Sequence, residues 1–420
     1  MFFRLRLKSK LRARIDAIRA AGYPVTCAEL DKWYAIPDNA ENAAHTIIDA
    51  FWCYKEIGET KSLPFIGRAK LPTRTEPLPE EIKASIAKYV TDNNEALTLL
   101  HKASTIEHSR YPIDLSIGIE TQLNHIHKIR KCIMLLSIDA VWNAESGQSQ
   151  PAANSVMSSF ALACSLINEP VIMSQLSRMG SYGLSMSVLE RCINRTVFTD
   201  EQLADLDRCL IEAEENSNLT RTYVGDRCVF LEVLKKPESL KSGVTVDGKQ
   251  ISPMNTTFSE LYKAVGLADM EAMIYLDFIN RYIEITKLPA YQRKKASDAL
   301  KARLESLSNI HVFIHMLMPT LLTTTTIEIR SIAGLRTARA GLAVERYRLA
   351  AGKLPDGLSE LVPVYLESVP KDPFDGNELR YKKLESGFVV YSICEDLSDD
   401  GGKEKTKESS NWDITFIVER

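Results

Sequence analysis

The sequence predicts an α+β fold: a mainly α-helical body of helical hairpins or a bundle, followed by a long helix and a small antiparallel β-sheet. Three observations carry this. Between about residues 82 and 320, apolar residues recur with a 3.6-residue period. Over residues 327–351 one uninterrupted helical pattern is marked by Ile332, Leu335, Ala338, Leu342, Val344 and Tyr347. Beyond it, residues 379–381, 388–393 and 414–418 are β-branched or alternate in polarity, as strands do.

The elements follow in order. Residues 1–60 read as an N-terminal helical segment. Gly22 and Pro24 stop its first helix, and Thr26 with Glu29 three residues on has the form of a capping box. A short amphipathic helix is expected over residues 43–54. Residues 61–81 hold Pro64, Pro72, Pro77 and Pro79 and read as an extended connector. Pro79 followed by Glu80 and Glu81 starts the helical body, residues 82–326, because proline and acids suit a first helical turn. Ile119, Leu123, Ile126, Ile133, Leu136 and Ala140 mark one helix face. Further helical patterns fall at 154–166, 171–177, 184–193, 203–213, 258–265, 270–285 and 296–307. Within 235–254, Ser242-Gly243 and Asp247-Gly248 flank a β-branched triplet, which leaves a small hairpin and a disordered tip both open. Residues 327–420 form the last unit: the long helix ends at Gly352, a shorter helix spans 358–365, and the strands follow.

Composition excludes some function classes. A formal net charge of −3 implies no bulk attraction to nucleic acid, and 45% apolar residues allow a sizeable core. No run of about 18 apolar residues occurs, and arginines interrupt the apolar start, so neither a transmembrane helix nor a secretory signal is expected. The eight cysteines form no C-x-x-C pair, so zinc-ribbon spacing is missing and free thiols are the default. Residues 1–19 carry Arg4, Arg6, Lys8, Lys10, Arg12, Arg14 and Arg19 against Asp16 alone. That stretch reads as a solvated helix face, as a peripheral contact with anionic lipid, or as the flank of a membrane anchor.

Motifs that would name a reaction are weak. His125 and His127 lie on a helix, where alternate residues point about 200° apart. His311 and His315 share a helix face without a glutamate between them and read as a core pair. Ser85 and Lys88 match S-x-x-K with no companion motif. The loop holding Glu395, Asp396, Asp399, Asp400, Gly401 and Gly402 stands apart. Its acids repel one another in a turn that must fold back for the last strand, and a hard divalent cation takes six to eight oxygens from such loops. Lysines between 403 and 407 are the alternative neutralisers.

The string Ala343-Val344-Glu345-Arg346-Tyr347-Arg348, then Gly352-Lys353-Leu354-Pro355, Leu358, Leu361, Tyr365-Leu366, Val369-Pro370-Lys371-Asp372-Pro373-Phe374, Tyr391-Ser392 and Asp399-Asp400-Gly401-Gly402, resembles the C-terminal half of the type II secretion major pseudopilin. The resemblance implies a pseudopilin-like α/β unit with one Ca²⁺ held by the Ile393 carbonyl and the Asp396 carboxylate. Asp399 and Asp400 would add charge and Asp413 would close the site. A pseudopilin joins this unit directly to a membrane-spanning helix, whereas residues 1–326 precede it here. The whole chain also resembles a planctomycete-type protein family, through Gly22-Tyr23-Pro24-Val25-Thr26 and Glu41-Asn42-Ala43-Ala44, which brings no activity with it. The function expected is therefore a non-catalytic structural or protein-interaction role toward a protein partner. The alternative is a helical enzyme whose site residues are scattered.

Overall fold

A computed structural model of the chain describes residues 2–56, 62–215, 219–236, 245–246, 249–250, 256–308, 310–406 and 411–420. It is mainly helical, with one three-stranded antiparallel sheet near the C-terminus. The N-terminal helices are α1 (Phe2–Ala20), α2 (Cys27–Trp33) and α3 (Ala43–Cys53). Gly22 turns the chain after α1 with φ of 81°, and the Thr26 hydroxyl accepts the Glu29 amide at 3.1 Å to open α2. The Glu29 carboxylate takes the Val25 amide in return, at 2.8 Å.

The connector leads into α4 (Glu80–Asp92) and α5 (Asn94–Ala103). The helix expected from Ile119 onward begins later, as α6 (Asn124–Glu145). Ile119 lies in a 3₁₀ turn, Leu115–Glu120, which Gly118 kinks with φ of 66° and ψ of −126°, and Thr121 and Leu123, with ψ of 123° and 43°, separate that turn from α6. The bundle continues through α7 (Ser149–Cys164), α8 (Ile172–Arg195), α9 (Asp200–Glu215) and α10 (Thr220–Lys235). The patterns at 171–177 and 184–193 are one helix, α8, bridged by the exposed Gly180 and Gly183. Two short strands, β1 (Thr245–Val246) and β2 (Lys249–Gln250), pair as the hairpin reading required; the rest of that loop lies outside the described residues. Then come α11 (Thr256–Ala264), α12 (Leu267–Thr286) and α13 (Ala290–Glu305).

The long helix is longer than its sequence pattern. It runs as α14 (Val312–Ala351), 40 residues, or roughly 60 Å at 1.5 Å per residue. Residue 327, where the sequence changes character, falls inside it. Gly352, with φ of 68°, ends the helix and donates its amide to the Arg348 carbonyl at 2.9 Å. The expected short helix over 358–365 shortens to a 3₁₀ turn, Leu358–Leu361, because Pro363 prevents its continuation. Strands β3 (Arg380–Lys383), β4 (Phe388–Ser392) and β5 (Ile414–Val418) pair in sequence order, with Lys383 opposite Phe388 and Phe388 opposite Val418.

Two hydrophobic cores meet along α14. Phe313, Ile314, Met318 and Leu321 belong to a core shared with α10 and α12. Leu335, Ala338, Leu342 and Val344 belong to a larger core, which joins α3 to α9 with Phe388, Val390, Phe416 and Val418 of the sheet. Small residues permit the close crossings. A Cβ on Gly341 would sit 2.3 Å from the Phe416 ring, and one on Gly334 would sit 2.7 Å from Met186.

The outer edge of β5 is covered by α8. Glu190 accepts the Ile417 amide at 3.0 Å, Asn194 donates to the Ile417 carbonyl at 2.8 Å, and the Glu419 amide donates to Asn194 at 2.7 Å. Positions 190 and 194 are one turn apart, so both reach the strand from the same helix face. They satisfy backbone groups that an exposed edge would leave free to pair with another chain. The last turn of α8 also holds the connector. Arg191 donates to the Pro72, Thr73 and Glu76 carbonyls, and the buried Glu145 carboxylate sits between Arg191 and Arg195 at 2.9 and 3.0 Å.

Gly341→Val is expected to destabilise the chain by about 1–3 kcal/mol by driving a methyl group into Phe416. Gly180→Ala, at a helical position with open space around it, should be neutral or stabilising by up to about 1 kcal/mol. Urea midpoints of the two variants, compared with wild type, check both.

Candidate functional site

The acidic loop between β4 and β5 is built on left-handed backbone. Cys394, Leu397, Gly401 and Gly402 all have φ between 58° and 79°. The turn before β3 anchors it. The Asp372 carboxylate, fully buried, accepts the Phe374 amide at 2.9 Å, the Ser392 hydroxyl at 2.9 Å and the Ile393 amide at 3.0 Å, and pairs with Arg380 at 2.7 Å. Asp372 was visible in sequence only as part of the turn motif. Its role as the hub joining that turn to the end of β4 depends on partners 8 to 21 residues away.

The expected ligand residues take different positions. Ile393 is buried at the end of β4, with its amide committed to Asp372. Asp396 is exposed and accepts the Ser398 amide at 3.2 Å. Asp399 accepts the Gly401 amide at 2.9 Å and lies 3.7 Å from Arg380. Asp413, at the entry to β5, accepts the Gly402 amide at 2.8 Å and donates its own amide to the Lys403 carbonyl at 2.8 Å. Two carboxylate oxygens, Asp400 Oδ2 and Asp413 Oδ1, are buried without a hydrogen-bond partner among the described residues. Burial, with Asp400 and Asp399 nearby, raises the Asp413 pKa. Among the described residues no three histidine, cysteine or acidic side chains converge as a metal-holding group. The loop's two partnerless buried carboxylate oxygens thus belong to Asp400, midway along it, and to Asp413, at its end.

Among the described residues no lysine of this loop pairs with those acids. Lys405 stacks over Trp412 at 4.5 Å, and its neighbour Glu404 pairs with Arg74 of the connector. Lys407 lies outside the described residues. Glu395 faces away from the loop and is bound by Arg330 of α14 at 2.8 Å.

A second concave surface lies between α6 and α8. Phe65, Leu123, Ile126, His127, Met134, Met173, Leu176 and Leu184 line a groove of about 800 Å³, mainly apolar. Met173 at its edge is 58% exposed. Phe65 enters on a tight turn: its φ is 63°, and the Ile66 amide donates to the Pro64 carbonyl at 2.7 Å. Positive φ on a bulky residue is strained backbone, held here in the groove wall. His127 faces this groove. His125 points inward instead, with its ring stacked on Tyr111 and Nε2 3.0 Å from buried Glu169. The H-x-H pair is therefore split across its helix.

The titratable groups most displaced from ordinary behaviour sit elsewhere. Burial pushes the carboxyls of Glu190, Glu271 and Glu328 up to about 7 and that of Asp226 up to about 6. None of the four lines this groove or the two other cavities described in the chain. Asp226 is bound by the Tyr275 hydroxyl, and Glu328 lies 3.2 Å from Arg293. His311 is buried 3.9 Å from Glu271, while the His315 ring meets the Ser308 carbonyl oxygen at 3.3 Å. A cavity of about 930 Å³ beside α5, α7 and α9 is lined by Cys164 and Cys209, whose thiols burial pushes up, so they stay protonated and unreactive near neutrality.

The buried acids make stability depend on pH. Glu328 ionises near 4.5 in the unfolded chain and near 7 when folded. Between those values the folded state holds a proton that the unfolded state lacks, so stability falls as pH rises. Urea midpoints should decline from about pH 5 to about pH 7, and Glu328→Gln, which cannot ionise, should flatten the decline. An unchanged slope in that variant would refute the assignment.

Of the sequence-expected site, the structure brings Asp400 and Asp413 together, with Asp399 beside them, and leaves Asp396 at the surface. No helix among the described residues is long and apolar enough to cross a membrane. No protein-family model, curated protein or solved structure matches the chain.

Proposed function

We propose that this chain is a non-catalytic structural or protein-interaction protein whose helical body binds a protein partner in the groove between α6 and α8. The observation that carries this reading is the groove itself. It offers a concave apolar surface edged by Met134 and Met173, and flexible thioether side chains adapt to a partner's shape. The strongly perturbed acids lie under other surfaces, so the groove has the character of a binding face and lacks an acid–base pair. A photo-crosslinker at Met173, used in the cells that make the protein, should yield one discrete adduct. Leu184→Asp, which charges the groove floor, should abolish it with little change in melting temperature. Adducts that are absent, or indifferent to Leu184→Asp, would count against a partner groove.

The C-terminal unit serves this reading as a rigid, pseudopilin-like cap. Support comes from its element order: a long helix closed by Gly352, a turn held by Asp372, and three antiparallel strands. In the same reading the loop after β4 takes one Ca²⁺. Asp400 and Asp413 would be its carboxylate ligands, because their partnerless buried oxygens suit a hard cation. A cation that binds only the folded chain stabilises it by about 2.7 kcal/mol at a hundredfold excess over Kd. The intact chain should therefore melt higher in calcium than in chelator. Asp400→Asn should erase that difference while raising the melting temperature in chelator, since it removes a like-charge neighbour of Asp413. A melting temperature indifferent to calcium would leave the loop as an acidic turn.

A further inference from the structure

Helix α1 carries seven basic residues against one acid, and the fold sorts them into two groups. Three hold the helix in place. Arg4 donates to the Lys263 carbonyl at 3.0 Å, Arg14 pairs with Asp277, and Arg19 pairs with Glu29 at 3.0 Å. Leu7, Leu11, Ile15 and Ile18 lie on the same side, partly buried, and α1 rests on α12. The other four, Arg6, Lys8, Lys10 and Arg12, are exposed, and among the described residues none has an ion-pair or hydrogen-bond partner.

At 100° per residue these four flank a narrow outward stripe of Leu5, Ser9 and Ala13, with Arg6 and Lys10 on one side and Lys8 and Arg12 on the other. Small and apolar residues thus occupy the outermost line, and cations stand on both sides of it. Asp16 is the single acid on that line.

The Arg4 contact adds a second element. It places the start of α1 against the end of α11, where Gly266 lies beside the Arg4 side chain. Leu261 and Val265 of that end are 60% and 59% exposed, matching Leu5 at 60%. Chain segments more than 250 residues apart thus bring exposed aliphatic side chains to the same end of α1, the helix that carries the four unpaired cations. Exposed acid on the α11 side is limited to Glu260 among its described side chains.

We infer that this face of α1 and α11 docks on an anionic membrane surface, with the aliphatic residues entering the headgroup layer and the four cations meeting lipid phosphates and carboxylates. The charge pattern selects this partner. A protein partner would need a matching acidic groove, whereas a bilayer presents negative charge on both sides of a helix lying flat. The inference is independent of the α6/α8 groove, which involves none of these residues.

Co-sedimentation of the full chain with vesicles tests it. Phosphatidylcholine vesicles containing phosphatidylserine should carry the protein down, vesicles of phosphatidylcholine alone should not, and added salt should release it. The variant R6Q/K8Q/K10Q/R12Q should lose roughly fivefold in affinity per cation removed. A control with four exposed lysines changed elsewhere, K32Q/K102Q/K301Q/K353Q, should bind as wild type does. L5S/L261S/V265S should bind more weakly yet keep its salt dependence. Equal binding to both vesicle types, equal loss in the control, or retention on duplex DNA without vesicle binding would each overturn the inference.

Discussion

The packing of α14 constrains everything else in the chain. Its first turns lie in one hydrophobic core and its second half in another, and between them Ile329 and Ala333 meet Phe374 and Ile393. Gly334 and Gly341 let α8 and β5 approach it closely. A helix used on so many sides has little freedom in its sequence. This explains why its apolar markers crowd together and why small residues recur along it. It also sets the C-terminal sheet into the body, because β4 and β5 pack on the same helix that α8 and α9 cover. A fibre built by packing such helices against their copies would have to displace those neighbours first.

Buried charge does the joining where apolar packing stops. Glu145, nearly inaccessible, is shared by Arg191 and Arg195, which also hold four carbonyls of the connector. Glu345 is paired with Arg348 and with Arg420 near the end of the chain. Such groups are weak evidence of net stability, since desolvation offsets much of their attraction, but removing one partner leaves an uncompensated charge. Their effect is to fix which segments lie together. Asp372 does the same on a smaller scale for the acidic loop.

Much of the fold was legible because local signals agreed with it. Thr26 with Glu29, Pro79 with Glu80 and Glu81, and Gly352 each mark a helix end by chemistry that needs only near neighbours. Three features were hidden for physical reasons. α10 is buried on most sides, with Thr222, Gly225 and Arg227 among its buried residues, so no single apolar stripe announces it. The start of α6 was placed too early because Ile119 and Leu123 keep a helical spacing across Thr121, whose ψ of 123° breaks the helix. Glu190 and Asn194 look like any helix-surface polar residues until β5, more than 220 positions later, is laid beside them. For the candidate site, the sequence marked the acidic loop but not which of its acids are buried. Which carboxylates turn inward depends on the left-handed residues at 394, 397, 401 and 402.

Arg74 in the connector meets three glutamates, Glu190, Glu404 and Glu419, which lie in α8, in the acidic loop and just past β5. On a ribosome the connector emerges more than 300 residues before Glu404 and Glu419. Arg191 and Arg195 can hold the connector's carbonyls beforehand, but the ionic clasp cannot close until both glutamates have been made. A chain cut short before Glu404 would keep most of its helical hairpins and lose the clasp, the β5 strand and the cover over the ends of α8 together. Its connector would then be the first segment open to a protease.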